Sequence, residues 1–179
     1  EEVAKETHFE FPRYRAADIN QLSRQFLPRD FKGMVKAILE IEAPLSEELL
    51  LKRIVTLFGR EKVTSVVQRT YEQQMYGYQK YSIIRRKGFL YLNGSPEIQF
   101  RAPGDITREI KQIAPEELAA GMLEILKQNV TADKSGLYRS LALQCGVNRV
   151  GKAFTEYLDA ALELLSDYAN IDGEMLSMK

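Results

Sequence analysis

The sequence predicts a mainly α-helical chain with small β-hairpins, of the α+β class, formed by two consecutive copies of one unit. The chain has 179 residues, of which 45% are apolar, enough for two small domains with cores of their own. When the sequence is shifted by 87 positions, the helix starts, helix caps and turns of the two halves coincide. Each half also ends in short β-forming runs around a glycine-containing turn, which is typical of a hairpin.

The aligned positions predict the same helices in each copy. Proline suits the first turn of a helix, where its missing N–H is not needed. Serine and aspartate are good N-cap residues, and glycine readily takes the left-handed conformation that ends a helix. The aligned pairs are Pro28 with Pro115 at the first helix, Ser46 with Asp133 and Gly59 with Gly146 around the second, and Ile84 with Ile171 in the hairpin.

The third helix of each copy has the clearest periodicity, with apolar residues at i, i+3 and i+4 over 63–78 and 150–165. The hairpins are predicted over 83–92 and 170–178. Three helices followed by a hairpin describe a winged helix, a helix-turn-helix variant whose third helix usually reads DNA. The predicted fold is therefore a tandem winged-helix repeat.

The domain boundaries follow from this repeat. Residues 1–27 are polar and weakly periodic, and we interpret them as an N-terminal arm or linker. The first winged helix is expected over 28–93 and the second over 115–179, with a connector over 94–114 that includes an extended stretch and a short helix. Because the chain begins Glu1-Glu2 without a methionine, we expect a piece of a longer protein.

Residues suited to catalysis are scarce. His8 is the only histidine and lies in the predicted arm, which argues against a histidine-based triad or metal site. Cys145 is the only cysteine and aligns with Phe58, so we interpret it as a core residue. Phosphate-binding glycine loops are not present, and paired acids such as Glu47-Glu48 fit the first turn of a helix. We therefore predict no enzyme activity, metal or cofactor in this chain.

The sequence contains neither a signal peptide pattern nor a membrane span, so a cytoplasmic location without membrane contact is expected. The formal net charge is zero, but the charges are unevenly distributed. Residues 1–104 contain 17 Lys or Arg and 13 Asp or Glu, a balance of +4, whereas 105–179 contain 8 and 12, a balance of −4.

The excess cations of the first copy cluster at its hairpin and third helix. We predict a nucleic-acid-binding site formed by Arg60, Lys62, Arg69, Arg85, Arg86 and Lys87. Lys80 and Arg101 add positive charge near the hairpin. In the second copy the 87-residue shift replaces Arg85 by Asp172, and the turn Asp172-Gly173-Glu174 would repel phosphate. A basic turn can also be merely solvated, and many winged helices bind proteins instead of DNA.

Several short motifs resemble one protein family from about Phe31 to the end of the chain. They are IEAPL at 41–45, Arg53 with FGR at 58–60, RKGFLY at 86–91, IQFR at 98–101, IAPEEL at 113–118 and, more loosely, CGVNRVG at 145–151. The chain resembles the uncharacterised C-terminal domain of large bacterial superfamily 1 DNA helicase-related proteins. In those proteins a restriction-endonuclease-like domain often lies just upstream. The resemblance implies an accessory module fused to ATP-driven DNA-processing machinery, and it transfers no catalytic residues.

These observations favour a non-catalytic accessory module whose first winged helix contacts the DNA backbone. The expected partners are DNA and the helicase and nuclease domains of a parent chain. The alternative is a protein-interaction or domain-docking module, in which the acidic second copy contacts another domain or a second protomer. The sequence leaves the preferred DNA structure open, and it also leaves open a homo-oligomer.

Overall fold

A computed structural model describes residues 9–26 and 28–179, and contacts along the chain divide it into two units. The first unit comprises Arg15–Ile98 and Lys111–Ala114. The second unit comprises Gln99–Ile110 and Pro115–Lys179, together with the described residues 9–14. The predicted arm and the predicted connector are thus each shared between the units. His8 lies outside the described residues.

The first unit contains four α-helices and a three-stranded antiparallel sheet. The helices are α1 (Ile19–Gln25), α2 (Phe31–Glu42), α3 (Glu47–Ile54) and α4 (Ser65–Met75), and the strands are β1 (Leu45–Ser46), β2 (Ile83–Arg86) and β3 (Phe89–Leu92). The strand order is β1-β3-β2. The side chains with no exposed surface include Val35, Ile38, Leu50, Ile54 and Leu90, so the helices and the central strand share one core.

The second unit contains three α-helices and another three-stranded antiparallel sheet. Its helices are α5 (Pro115–Asn129), α6 (Lys134–Gln144) and α7 (Lys152–Leu162), and its strands are β4 (Thr131–Asp133), β5 (Ala169–Asp172) and β6 (Met175–Met178). The strand order is β4-β6-β5. Its fully buried side chains include Met122, Leu126, Leu141, Leu158 and Ala161. The predicted α+β class, rich in helices and with small hairpins, is confirmed.

Local capping explains where helices α3 and α6 begin and where the helical segments that they start come to an end. The Ser46 hydroxyl accepts the N–H of Leu49, and the Asp133 carboxylate accepts the N–H of Gly136. Gly59 follows a short 3-10 helix with φ +67°, and Gly146 follows α6 with φ +80°. Both glycines take the left-handed conformation expected at a helix end. These predicted starts and stops are confirmed.

The hairpins correct the predicted alignment by one residue. Helices α4 and α7 keep the shift of 87, but β2 and β3 match β5 and β6 at a shift of 86. The reason is that the connection before the hairpin strand is one residue shorter in the second unit, spanning 163–168 against 76–82. Ile84 pairs with Tyr91, whereas Ile171 pairs with Leu176. The predicted equivalence of Ile84 with Ile171 is therefore wrong.

A buried ion pair in the first unit holds the backbone just before α1 in place. Glu42 has no exposed surface, and its carboxylate accepts hydrogen bonds from Arg53 Nη1 at 2.6 and 2.7 Å. The same carboxylate accepts the N–H of Ala17 at 2.7 Å, and Arg53 Nη2 donates to the carbonyl of Ala17 at 3.0 Å. The carboxylate and the guanidinium together fix the chain just before α1. The segment 15–26 is therefore part of the first unit and includes a helix that the sequence did not reveal.

A second buried cluster organises the second unit. Glu117 on α5 has no exposed surface and pairs with Arg101 at 2.9 Å and with Arg108 at 2.6 Å. The two guanidinium groups lie 4.7 and 4.3 Å from the ring centre of Tyr14, which is itself buried. Arg101, assigned to the hairpin from sequence, thus belongs to this cluster.

Among the described residues, no helix is both long and apolar enough to cross a membrane.

Candidate nucleic-acid interface

The first hairpin, formed by β2 and β3, has a two-residue turn. Arg86 pairs with Phe89, so Lys87 and Gly88 form the turn. Their φ angles are +48° and +79°. Positive φ at both turn residues matches the right-handed twist of the flanking strands, which explains why glycine is needed at the second position. The side chain of Lys87 is exposed at the tip of this hairpin.

The three consecutive cations of the first hairpin do not share one surface. Successive side chains of a strand point to opposite faces of the sheet. Along β2, Ile83 is buried, Ile84 exposed, Arg85 half-buried and Arg86 exposed. Arg85 therefore points with Ile83 towards the helices, and Arg86 points the other way. Arg85 therefore does not share a face with Arg86, and a phosphate contact by Arg85 stays a prediction.

Arg85 lies at the centre of an ion-pair cluster. Its Nε donates to Glu47 Oε1 at 2.6 Å, and its two terminal nitrogens donate to Glu72 at 2.6 and 2.9 Å. The guanidinium also lies 5.8 and 5.6 Å from the ring centres of Tyr71 and Tyr78. Glu47 starts α3 and Glu72 lies on α4, so Arg85 fastens the first hairpin to both helices.

The titration of these groups follows from their contacts. The hydrogen bond from Arg85 holds the pKa of Glu72 below its ordinary value. Burial, followed by the negative charge of Glu47, raises the pKa of Tyr71, whose hydroxyl donates to Glu47 at 3.1 Å. Hydrogen bonds to Glu72 and Glu47 raise the pKa of Arg85 despite its partial burial. These contacts therefore favour the charged forms of both Glu72 and Arg85.

Arg86 and Lys87 are the exposed cations of the first hairpin. The Arg86 guanidinium lies 4.5 Å from the ring centre of Tyr91, which supports the side chain through a cation–π contact. Tyr91 in turn packs with Phe89 against Ala114 and Ile98. Lys87 forms no ion pair within the described part of the chain. Arg86 and Lys87 are thus exposed on a hairpin whose outer face packs against Ala114 and Ile98.

The three remaining predicted cations lie at and before α4. Arg60 and Lys62 are exposed in the loop between α3 and α4, and Arg69 is exposed on α4 itself. The helix is shorter than predicted, since Thr64 caps it and it ends at Met75. The structure therefore places Arg60 and Lys62 ahead of the helix instead of along it. None of the three pairs with a carboxylate among residues 9–26 and 28–179.

The second hairpin, formed by β5 and β6, has a different charge. Its turn consists of Gly173 and Glu174, and Asp172 precedes it on β5. Because the shift is 86 here, Asp172 corresponds to Arg86, and Arg85 corresponds to Ile171. The acidic turn predicted from sequence is present, but its counterpart in the first unit was assigned one residue off.

Cys145 is poorly suited to nucleophilic chemistry. It is buried in the second unit at the end of α6, and burial raises the pKa of its thiol to about 12. A thiol with such a pKa is almost entirely protonated at neutral pH, whereas the nucleophile is the thiolate. Groups of three or more histidine, cysteine or acidic side chains with metal-binding geometry do not occur within the described residues.

Comparisons of the chain with family models, with curated proteins and with solved structures gave no significant match.

Proposed function

We propose that this chain is a non-catalytic accessory module of a helicase- or nuclease-like DNA-processing protein, and that its first unit contacts the DNA backbone. In this proposal both units are winged helices. The order of elements supports this assignment, because a helix, a short strand, two further helices and a hairpin follow one another in each unit. The short first strand adds to the edge of the hairpin in both sheets, which is the arrangement that a winged helix requires.

One observation carries the proposal. Five exposed cations lie at or before α4 and at the turn of the first hairpin. These five are Arg60, Lys62, Arg69, Arg86 and Lys87. Four of them form no ion pair with a carboxylate within the described residues, namely Arg60, Lys62, Arg69 and Lys87. A helix-turn-helix contacts phosphates from the turn, the recognition helix and flanking elements, which are the places where these side chains lie.

Arg85 has a positioning role in this proposal. Its guanidinium is saturated by Glu47 and Glu72, so it holds the first hairpin against α3 and α4 instead of contacting phosphate. The contacts that remain are electrostatic and go to the backbone. Such contacts fix the register and orientation of a protein on DNA, but they do not read its sequence.

The test compares the parent chain with the double variant Arg86→Glu/Lys87→Glu. We expect the variant to bind a fluorescently labelled DNA duplex more weakly. The salt dependence should also flatten, because each phosphate that the protein neutralises contributes about 0.9 to the slope of log K against log salt. The measurement is fluorescence anisotropy at several salt concentrations, with thermal melts to establish that the variant is folded.

The matched control is Arg24→Glu/Arg29→Glu, which changes the net charge equally at exposed positions of the first unit outside the hairpin and α4. The control should bind nearly as the parent does. Equal weakening by both variants would indicate a net-charge effect and not a site. A folded Arg86→Glu/Lys87→Glu variant that binds like the parent, or a parent that does not bind at low salt, would contradict DNA binding by this hairpin.

A protein-docking function is the second candidate, and one observation favours it. The second hairpin exposes Ile171 and Met175 at 44% and 51%, and Tyr168 just before it is 56% exposed. Ile171 and Met175 lie on opposite faces of this hairpin, because Met175 pairs with Asp172 and side chains alternate along a strand. Exposed apolar side chains of this kind occur at interaction surfaces. If the chain fails to bind DNA at low salt, a variant with all three replaced by serine would test this function through its effect on association with the parent protein's other domains.

A further inference from the structure

The second unit differs from the first in charge at the start of its second helix. Glu47 and Glu48 open α3, whereas Lys134 and Ser135 open α6 at the same shift of 87. In the loop before the third helix, Glu61 of the first unit corresponds to Asn148 of the second. Three carboxylates are thus replaced by one ammonium, one hydroxyl and one amide. Residues 105–179 are acidic overall, so their net charge does not reveal that this one place is less acidic than its counterpart in the first unit.

These residues line an open cleft of about 580 Å³ in the second unit. Lys134, Ser135 and Arg139 come from the first turns of α6, Asn148 and Arg149 from the α6–α7 loop, and Thr155 from α7. The lining also includes Tyr138, Val150 and Glu174. Hydrogen-bond donors of cationic, hydroxyl and amide type therefore meet in one concave place from three segments.

Two of the cations are available to a ligand. Arg139 and Arg149 are exposed and form no ion pair within the described part of the chain. At the position equivalent to Arg139, the first unit has Lys52, which pairs with Glu48 at 2.6 Å. That pairing partner is Ser135 in the second unit, so the charge of Arg139 is not neutralised. The first unit therefore cannot offer the same site.

Two carboxylates beside the cleft are bound by donors of the chain itself. Asp133, at the start of α6, accepts the N–H of Gly136 at 2.9 Å. Lys134 pairs with Asp159 at 2.9 Å, and the hydroxyl of Tyr138 donates to the same carboxylate at 2.6 Å. Lys134 thus contributes little net charge. Glu174, in the turn of the second hairpin, is the acid that lines the cleft. The two free arginines outweigh this single carboxylate.

We propose that this cleft binds a backbone phosphate of a nucleic-acid strand, so that the second unit makes its own contact. The chemistry is that of phosphate contacts made by Arg, Ser, Thr and Asn side chains. The N-terminal end of α6 takes no part in it, because the Asp133 carboxylate caps this end. The open shape suits a phosphate on a continuous strand better than an enclosed small ligand. This inference rests on the proposed nucleic-acid function but uses different residues, and it gives the second unit a role despite its acidic hairpin.

The test uses the double variant Arg139→Ala/Arg149→Ala in the full 179-residue chain. Its matched control is Lys127→Ala/Lys179→Ala, which removes the same charge from the second unit outside the cleft. We expect the cleft variant to bind labelled duplex or single-stranded DNA about tenfold more weakly at low salt. On the duplex its salt slope should be smaller by about 0.9 for each phosphate that the variant no longer neutralises. The control should stay within about twofold of the parent, because isolated surface charges contribute little. In addition, Glu174→Gln should tighten binding, because it removes the carboxylate that lines the cleft.

The same measurements on the Arg86→Glu/Lys87→Glu background separate this inference from the proposed function. If Arg86→Glu/Lys87→Glu leaves the affinity for DNA unchanged while Arg139→Ala/Arg149→Ala still lowers it, the cleft binds DNA and the first hairpin does not. A folded cleft variant that binds DNA like the parent overturns the inference. NMR titration with inorganic phosphate provides an independent arm, with shifts expected at the backbone amides of Ser135, Arg139 and Arg149. If phosphate shifts these amides but DNA does not, the site takes a small phosphorylated ligand, and nucleic-acid binding by the cleft is overturned.

Discussion

At the scale of single residues, some charged side chains form buried ion pairs that hold chain segments together, and others are exposed to solvent. The motifs that carry the family resemblance contain Glu42, Arg53, Arg101 and Glu117. All four lie in buried or half-buried ion pairs that hold chain segments in place. These charges therefore stabilise the units and do not form a binding surface. The exposed cations that could bind DNA belong mostly to the loop before α4 and the turn of the first hairpin.

The first residue-scale prediction concerns Glu117. Glu117→Gln would remove the charge that compensates Arg101 and Arg108, of which Arg108 is almost fully buried. Because breaking a buried ion pair leaves an uncompensated charge, we expect a loss of about 3–5 kcal/mol in the free energy of unfolding. Urea unfolding followed by circular dichroism measures it. The control on the same helix is Glu124→Gln, at an exposed carboxylate. A loss no larger than that of the control would contradict the structural role of the cluster.

The second residue-scale prediction separates Arg85 from its neighbours. Arg85→Ala should destabilise the chain by about 1–3 kcal/mol, because Glu47 is mostly buried and would lose its charged partner. DNA affinity of the folded variant should change less than in Arg86→Glu/Lys87→Glu. Thermal unfolding and anisotropy titration on the same samples measure both quantities. A variant with normal stability and strongly weakened DNA binding would instead make Arg85 a direct phosphate contact.

At the scale of secondary-structure elements, caps and glycine stops are local features, and the sequence reveals them. The two-residue strand β1 and the three-residue strand β4 are not revealed, since they are too short to show a period of two. β1 and β4 become the third strand of each sheet only by pairing with β3 and β6, which come much later in the chain. Helix α1 carries one local signal, because Asp18 caps it by accepting the N–H of Gln21. It was missed because its seven residues bury no side chain and show no apolar period, and the segment before it is fixed by distant Glu42 and Arg53.

The element-scale prediction concerns the turn of the first hairpin. Gly88 has φ +79°, and a Cβ atom there would meet nothing within 4 Å. The cost of Gly88→Ala is therefore conformational, and we expect about 1–2 kcal/mol. Gly88→Asn should cost less, because asparagine tolerates positive φ better than alanine does. Differential thermal melts of the two variants measure the order. Equal stability of both variants and the parent would contradict the observed turn.

At the scale of the whole molecule, acidic pH should weaken the fold through its paired carboxylates. Burial of Glu117 opposes its ionisation, but hydrogen bonds from Arg108 and Arg101 together hold its pKa below the ordinary value. Hydrogen bonds likewise lower the pKa values of Glu72, from Arg85, and of Asp159, from Tyr138 and then Lys134. Each carboxylate thus binds its proton less readily when the chain is folded.

The sign of the pH dependence follows from these lowered pKa values. The stabilisation is fully present above the pKa of an unfolded glutamate, about 4.3, and is lost as pH falls through the lower pKa of the folded state. We expect the free energy of unfolding to fall from about pH 5 downwards, and to fall less steeply in Glu117→Gln than in the parent. Urea titrations across this range measure the slope. An equal slope in both proteins would contradict the contribution of Glu117.

The sequence by itself determined the α+β class, the repeat of three helices and a hairpin, and the caps at Ser46, Asp133, Gly59 and Gly146. These features depend on residues close together in the chain, so local propensity and periodicity reveal them. Only the tertiary structure decided how each charged side chain is placed. Arg85 and Arg86 are neighbours in sequence, yet Arg85 is bound between Glu47 and Glu72, whereas Arg86 is exposed and lies over the ring of Tyr91. The alternation of side chains along a strand separates them, and partners from distant helices hold Arg85. In the second unit the charge of Arg139 is not neutralised, because Ser135 stands where the first unit has Glu48, the carboxylate that pairs with Lys52.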